Sequence, residues 1–479
     1  MAEGARKVAV VGGGIAGLSA AYYLQKQARA EGVLLDITLI EAAHRLGGKI
    51  QTLRKDGFVI ERGPDSFLSR KENMMELAKE LGIGQQLMES ASGRGCVMVE
   101  DRLHPIPDGS VMGVPTKIVP FLVSDLYSWS GKIRAAGDLV LPKSDMSEDQ
   151  PLGRFVRRRF GNEVVDNLIE PLFTAIYGGD IDKLSLHATF PAFSNIEQQY
   201  GSVIRGMKKS SDFNAEEFSA NGLGSSQNFK QGMGTIVDTL ESRLEDCTVL
   251  KGVKVEKLEK QNGQTLLSLN NDSAILADEV ILALPHTRIF PLFERFGLLK
   301  PLKEMPAASV ATVSMAFSAE PYNCLTENAA GFVVARNSDI AITSCAASHL
   351  KWPGHAPEGK MLFKAFIGKV GDETVVDLSD SEIEKTVLAD LRKSMNLRGE
   401  PEFTVVSRWK EALPQFLVGH HERIAQAKQE LKADFPAIQM IGSSFEGFGL
   451  PGCIEQGKLA AQQIIARCAV KHLKAEEAI

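Results

Sequence analysis

Three glycines spaced as Gly12-x-Gly14-x-x-Gly17 stand between a β-branched run, Lys7-Val8-Ala9-Val10-Val11, and an apolar helical pattern through Leu18, Ala21, Tyr22 and Leu24. Strand, tight turn and helix in that order aim backbone N–H groups and the positive end of a helix at an anion. Gly12 makes the turn, Gly14 lets the backbone approach a pyrophosphate, and Gly17 packs helix on strand. A second predicted strand, Leu34 to Ile40, ends in Glu41, whose carboxylate can take a ribose hydroxyl. The interval from Gly17 to Glu41 is slightly long, and the stretch Ala30–Asp36 absorbs it. The plainer reading is a glycine turn between any strand and helix. Agreement among strand, glycines, helix, second strand and terminal acid favours a dinucleotide site.

The flanks favour FAD over NAD. After Glu41 come Ala42-Ala43-His44-Arg45-Leu46-Gly47-Gly48-Lys49, where a glycine pair lets the chain pass close to a cofactor and the cations can face phosphate. Gly57-Phe58-Val59-Ile60-Glu61 reads as a strand running into Gly63-Pro64-Asp65-Ser66-Phe67. Near the end of the chain, the apolar strand Ala437–Ile441 enters a glycine-rich run, 442–452, and then a helix from Cys453 onward. The positive end of that helix beside an isoalloxazine ring would stabilise an anionic reduced flavin; the plainer reading is an ordinary βα turn. No second strand-linked GxGxxG is present. Gly232-Met233-Gly234 is read as following no strand and opening a helix, so no nicotinamide domain is expected.

These motifs are spread over 479 residues, a length for one large composite domain or two to three domains. With 44% hydrophobic and 24% charged residues, the composition excludes a disordered or collagenous chain, and no apolar run suits a membrane span. A net charge of −6 argues against nucleic acid as the main partner. The six cysteines show no CxxC and no metal-ligand spacing, so no metal site is expected. Without a signal-peptide pattern they are expected to be reduced thiols of a cytoplasmic protein.

Patterning suggests a cofactor domain in three segments, 1–67, 226–300 and 421–479. A mainly helical inserted and substrate region fills 68–225, and a substrate domain 301–420. Strands are predicted at Val249–Leu258 and Thr265–Leu269 around the hairpin dipeptide Asn262-Gly263, and later at Val310–Phe317 and Met361–Phe366. Arg154, Arg157, Arg158 and Arg159 are read as a solvated helix face paired with Glu163 and Asp166 rather than a lipid-binding stripe. Peripheral membrane contact stays open.

With GGGIAG, the RLGGK loop, ERGPDSF and the terminal GSSFEGFGLPGCIEQGK in one order, the chain resembles the flavin amine-oxidase superfamily. Asn167–Leu172, Ile176–Asp180, Lys183–Leu186, Leu413–Phe416 and Val418–His420 narrow the resemblance to the porphyrinogen oxidase family, nearest its Gram-positive bacterial members. The resemblance implies an α/β and α+β fold: a Rossmann-like FAD domain of p-hydroxybenzoate hydroxylase type, a substrate domain, and an inserted helical domain often associated with membranes. It implies non-covalent FAD contacts at Gly12, Gly14, Ile15, Ala16, Gly17, Glu41, Ala42, Lys49, Gly63, Ser66, Val255, Trp409, Phe448, Gly449 and Leu450. Lys49 replaces an arginine common in relatives, keeping the charge but losing the bidentate fork.

The implied reaction is FAD-dependent, six-electron oxidation of coproporphyrinogen III to coproporphyrin III in haem biosynthesis. Protoporphyrinogen IX is also accepted, molecular oxygen is the acceptor and hydrogen peroxide the by-product. Bridging carbons flanked by electron-rich pyrroles can lose hydride without a dedicated base, so no catalytic acid or base is assigned. Propionates need cations, and Lys71, Arg94, Arg205, Lys208 and Arg336 are candidates. Lys71 stands out because it follows GPDSF, where the chain leaves the cofactor. Ala175, Ile176, Tyr177, Phe332 and Val334 fall in segments that line the pocket in relatives, although residues at such spacing are often plain core. Cys453 is read as a small buried thiol. Other haem-pathway enzymes are further candidate partners. Two other functions compete: a flavin amine oxidase acting on a polyamine or amino acid, and a porphyrin carrier that keeps FAD as structure.

Overall fold

The computed structural model describes residues 5–69, 72–91, 93–210, 226–318, 329–447 and 449–476. Its first unit is β1 (Arg6–Val11), α1 (Ile15–Glu31) and β2 (Leu35–Glu41). The two strands pair in parallel, with Val8 opposite Ile37 and Val10 opposite Leu39. Val8–Val11 is buried along its whole length, as an unbroken apolar run in a parallel sheet should be. Cys247–Lys251 flanks β2, and Glu279–Leu282 followed by Ile438–Met440 extend the sheet beyond β1. Five parallel strands from three distant stretches of chain thus share one carboxyl edge, the edge where ligands bind in such sheets.

Two expectations change here. The predicted strand Val249–Leu258 is two strands: Cys247–Lys251 joins the parallel sheet, while Val255–Gln261 forms a hairpin with Gln264–Leu269. Gly252, at φ +73°, turns the chain between them. Asn262 and Gly263 take φ of 50° and 80°, the mirror-image turn that Asn-Gly favours. Gly232-Met233-Gly234 does follow a strand, Ser226–Phe229, held antiparallel between Phe67–Leu68 and Leu87–Glu89. A short polar Ser-Gln-Asn-Phe run carries no strand pattern. No second dinucleotide turn results, because the Met233 and Gly234 N–H groups donate to Glu61 Oε1 (2.6 Å) and Thr52 Oγ1 (2.7 Å).

In the helical region, α2 (Ile118–Val123), α3 (Trp129–Ala136) and α4 (Leu152–Phe160) surround a core that includes Phe155, Phe160, Phe173 and Phe193. Arg157 pairs with Asp166 (2.5 Å) and Asp182 (3.3 Å), in part the expected solvated pairing. Arg159 departs from it: it is fully buried and paired with Glu197 and, at 3.4 Å, with Asp138. Glu163 takes the backbone N–H (2.5 Å) and hydroxyl (2.6 Å) of Ser128 instead of an arginine.

The remaining layer is a seven-stranded sheet built on β3 (Ala307–Ser318), β4 (Lys360–Ile367) and β5 (Phe403–Pro414). Ile342–Ala347, Ala329–Val334, Arg94–Val99 and Arg102–Pro105 complete it. Alternation splits the faces of β3. Ala311, Val313, Met315 and Phe317 pack with Ile383, Val387 and Leu391 of the helix Asp380–Met395. Thr312 and Ser314 face the opposite way, and Thr312 bonds to the chain at Arg62. The last helix, α5 (Leu450–Glu476), crosses α1 at Gly457, where a Cβ would lie 2.7 Å from the Ala16 carbonyl oxygen. Among the described residues, no helix is long and apolar enough to cross a membrane.

Candidate functional site

The glycine motif makes the turn and the close helix packing that its spacing predicts. Gly12 sits at φ +107°, and a Cβ there would overlap the Ala283 carbonyl. A Cβ on Gly17 would overlap the Gly12 carbonyl, so α1 lies hard against the turn. At Gly14, the N-cap of α1, no atom of the described residues lies within 4 Å of the Cβ position. No side chain caps the helix and no acid occupies its first turn, so the first N–H groups of α1 have no side-chain acceptor and suit an anion. Glu41 closes the side of this cradle: its carboxylate accepts N–H groups from Gly13 (2.6 Å) and Ala43 (2.8 Å). Each oxygen keeps a lone pair for a hydroxyl. Across the carboxyl edge, among the described residues, Gly442 (φ +124°) also has nothing within 4 Å of its Cβ position, and Gly449 (φ +99°) has only the Pro451 ring at 4.0 Å. Side chains at these three glycines would occupy space that the backbone leaves open at the sheet's carboxyl edge. The residues therefore fit a dinucleotide such as FAD.

Other expected cofactor residues gather at the same edge. Ile15 and Ala16 are buried in the first turn of α1, and Ala42 lies just past Glu41. The Lys49 ammonium donates to the Ala412 carbonyl and to Ser443 Oγ (3.3 Å), joining the RLGGK loop to β5 and to the 442–447 loop. Burial lowers its pKa. Gly63 passes so close that a Cβ would overlap the Lys49 carbonyl, and the Trp409 ring would lie 3.4 Å away. Trp409 Nε1 donates to the Arg62 carbonyl (2.9 Å) and Ser66 to Asp65 (2.9 Å). Val255 packs behind this edge with Val11 and Ile40, and Leu450 opens α5. Phe448 and Lys71 lie outside the described residues. Cys453 is buried, and burial pushes its thiol up to about 11.

Two buried histidines that sequence reasoning missed hold the 442–447 loop. His286 Nδ1 accepts from the Ser444 hydroxyl (2.9 Å), and its Nε2 donates to the Met305 carbonyl (2.9 Å). His420 Nε2 donates to the Phe445 carbonyl (3.0 Å) while its ring stacks on Phe416 at 4.0 Å. Burial lowers the pKa of both rings, that of His420 to about 4. A lone histidine in an apolar stretch gives no signal of such a partner. The two are the first residues of the helices His286–Phe293 and His420–Asp434, whose N-caps are Pro285 and Gly419.

On the substrate side the expected residues divide. The helix Glu170–Tyr177 ends at Gly178, whose Cβ position lies 2.9 Å from the Leu413 side chain. Ala175 and Ile176 on that helix are half-buried and pack against the helical core. Tyr177 turns into the core: its hydroxyl donates to the Thr189 carbonyl (2.9 Å) and its ring stacks with Phe173 at 6.2 Å. Phe332 is buried between Cys96 and Cys345 on neighbouring strands, and Val334 packs on the same core. Arg336 is engaged by Glu170 (2.5 Å) and Asp180 (2.9 Å); burial alone would lower its pKa, but these carboxylates raise it. Arg205 and Lys208 are exposed on the helix Val203–Lys209. The Arg94 side chain lies outside the described residues.

Known proteins resemble this chain in sequence and fold. The family model for flavin containing amine oxidoreductases matches residues 15–465. The chain is 47% identical over 466 residues to the coproporphyrinogen III oxidase of Bacillus subtilis (strain 168), covering 97% of this chain and 99% of that one. It is 40% identical to the Staphylococcus aureus (strain NCTC 8325 / PS 47) protein of the same name, covering 96% and 99%. The solved structure of a candidate protoporphyrinogen oxidase from Exiguobacterium sp. 255-15 superposes with a TM-score of 0.86 at 34% identity, covering 96% and 98%. A putrescine oxidase structure, at 17% identity and a TM-score of 0.69, shares the fold alone. The chain belongs to the flavin containing amine oxidoreductase family and is an enzyme, an oxidoreductase that works with a flavin.

Proposed function

We propose that this enzyme oxidises coproporphyrinogen III to coproporphyrin III with non-covalent FAD, and that protoporphyrinogen IX is a second substrate. The observation that carries this reading is the 47% identity to the Bacillus subtilis coproporphyrinogen III oxidase along 97% of the chain. Bound FAD supplies two-electron oxidation with molecular oxygen as acceptor, so a six-electron loss takes three turns and yields three hydrogen peroxide molecules. The chain's own part is binding and orientation. The turn at Gly12–Gly17 takes the pyrophosphate, Glu41 the ribose, and Gly63, Ser66, Trp409 and the start of α5 the ring system. Ala175 and Ile176 form the apolar wall for the macrocycle, with Tyr177 and Phe332 supporting from the cores behind. Lys71 meets a propionate, and the proton from a pyrrole nitrogen passes to water.

For peripheral membrane contact we assign α2 and α3 rather than the arginine-bearing α4. Ile118, Val119, Val123, Trp129 and Ile133 are 67–77% exposed. Arg157 and Arg159 of α4 are paired with carboxylates. The decisive experiment on function is anaerobic mixing of the purified enzyme with coproporphyrinogen III, protoporphyrinogen IX or putrescine while flavin absorbance is followed. Rapid bleaching by coproporphyrinogen III is expected. Bleaching by the amine with none by either porphyrinogen would overturn the assignment.

A further inference from the structure

Lys364 lies on β4 opposite Ser314 of β3 and is only 2% exposed. Lysines are rarely buried this deeply without a carboxylate partner. Among the described residues, the only hydrogen bond of the Lys364 ammonium is to the Gly63 carbonyl oxygen, and the Phe366 ring centre lies 5.0 Å from it. Asp65 and Glu61 act on it through space: burial lowers its pKa while the two carboxylates raise it. Both acids are occupied elsewhere. Asp65 accepts from Lys351 (3.0 Å) and Ser66 (2.9 Å). Glu61 accepts from the Met233 N–H (2.6 Å), Thr52 (2.8 Å) and Asn228 (3.3 Å). The ammonium is therefore placed at one carbonyl and not at an acid.

Position matters at that carbonyl. Gly63 lies so close to the Lys49 carbonyl that there is no room for even a Cβ, and the Trp409 ring is in contact with the same position. The preceding carbonyl, of Arg62, accepts from Thr312 Oγ1 (2.6 Å) and Trp409 Nε1 (2.9 Å). Donors on three adjacent strands of the seven-stranded sheet thus hold consecutive carbonyls of the turn that edges the cradle. Lys364 is the one charged donor among them, and charge-assisted bonds are the stronger class.

We propose that Lys364 is a positioning residue for the cofactor: through the Gly63 carbonyl it fixes the 62–66 turn against Lys49 and so sets the width of the flavin groove. The inference rests on the reading that Gly63 and Lys49 edge the flavin site; it does not depend on which substrate the enzyme oxidises. Two variants test it, Lys364→Met and the charge-balanced pair Lys364→Met with Glu61→Gln. FAD is titrated into apoprotein, thermal unfolding of the apoprotein is recorded, and the visible band of the FAD-saturated protein is compared with wild type. Both variants should bind FAD at least tenfold more weakly and shift the visible band, and balancing the charge should not restore either. Recovery of wild-type affinity and spectrum in the double variant would make Lys364 a mere counter-ion for Glu61 and overturn the proposal. Wild-type affinity in Lys364→Met would do the same. Where Lys364→Met does not fold, the double variant decides alone. A wild-type apoprotein that takes up no FAD overturns this proposal and the flavin reading together, whereas failure with porphyrinogens alone leaves it standing.

Discussion

Glu41 is held at both oxygens by backbone N–H groups, from Gly13 and Ala43, so its carboxylate is fixed before any ligand arrives. Glu41→Lys removes both acceptors and adds a cation beside the turn. The FAD content of the purified protein, read by absorbance after acid release, should fall at least tenfold; full content would remove Glu41 from the site. His420 makes a pH prediction. Its folded pKa is depressed from 6.5 to about 4, so the unfolded chain binds the extra proton first as the solution is acidified. Stability is then lost as pH falls from about 6.5 to about 4, on the order of 3 kcal/mol for this group. His420→Gln should flatten that part of the melting-temperature profile, and an unchanged acid slope would assign the loss to other groups. The glycines and Glu41 were legible because each does a job that few residue types can do. His286, His420 and Lys364 were not, because what defines them is a partner far away in sequence.

Arg159 shows what an element's periodicity carries and what it hides. Leu152, Phe155, Val156, Arg159 and Phe160 are the buried stripe of α4, spaced as one helical face, and the arginine stands within it. The arginines thus do not form the single solvated face expected: Arg157 meets Asp166 near the surface, whereas Arg159 lies in the buried stripe. The two should therefore respond differently to substitution. Arg159→Met strands the buried carboxylates of Glu197 and Asp138 and should cost about 3–5 kcal/mol in urea unfolding. Arg157→Ala loses partly exposed pairs with Asp166 and Asp182 and should cost about 1 kcal/mol or less. Equal costs would mean that the buried network is not what fastens α4 to the helix Pro191–Tyr200.

Across the whole molecule, the parallel sheet was legible from its first and last motifs, since both carry turn chemistry at a strand's carboxyl end. The seven-stranded sheet was less so: Arg94–Val99 and Arg102–Pro105 enter it as a hairpin from a stretch whose later residues are helical, and the pairing of Arg94–Val99 with Ala329–Val334 is non-local. The surface that composition could not reveal is the one formed by α2 and α3. α2 is apolar around its whole circumference, yet Ile118, Val119 and Val123 are 67–77% exposed. Beneath them Lys132 donates to the Leu122 (2.8 Å) and Ser124 (2.7 Å) carbonyls, which would otherwise need water at the end of α2. That helix end can leave water without stranding its carbonyls. With a net charge of −6, long-range attraction to anionic lipid is not the driving force, so contact through this surface should rest on apolar burial and persist at high salt. The enzyme should float with phosphatidylcholine vesicles in high salt, and Val119→Asp with Ile133→Asp should abolish flotation while FAD content and porphyrinogen turnover are unchanged. Flotation that survives the double variant, or that high salt removes from wild type, would move the contact to a charged face.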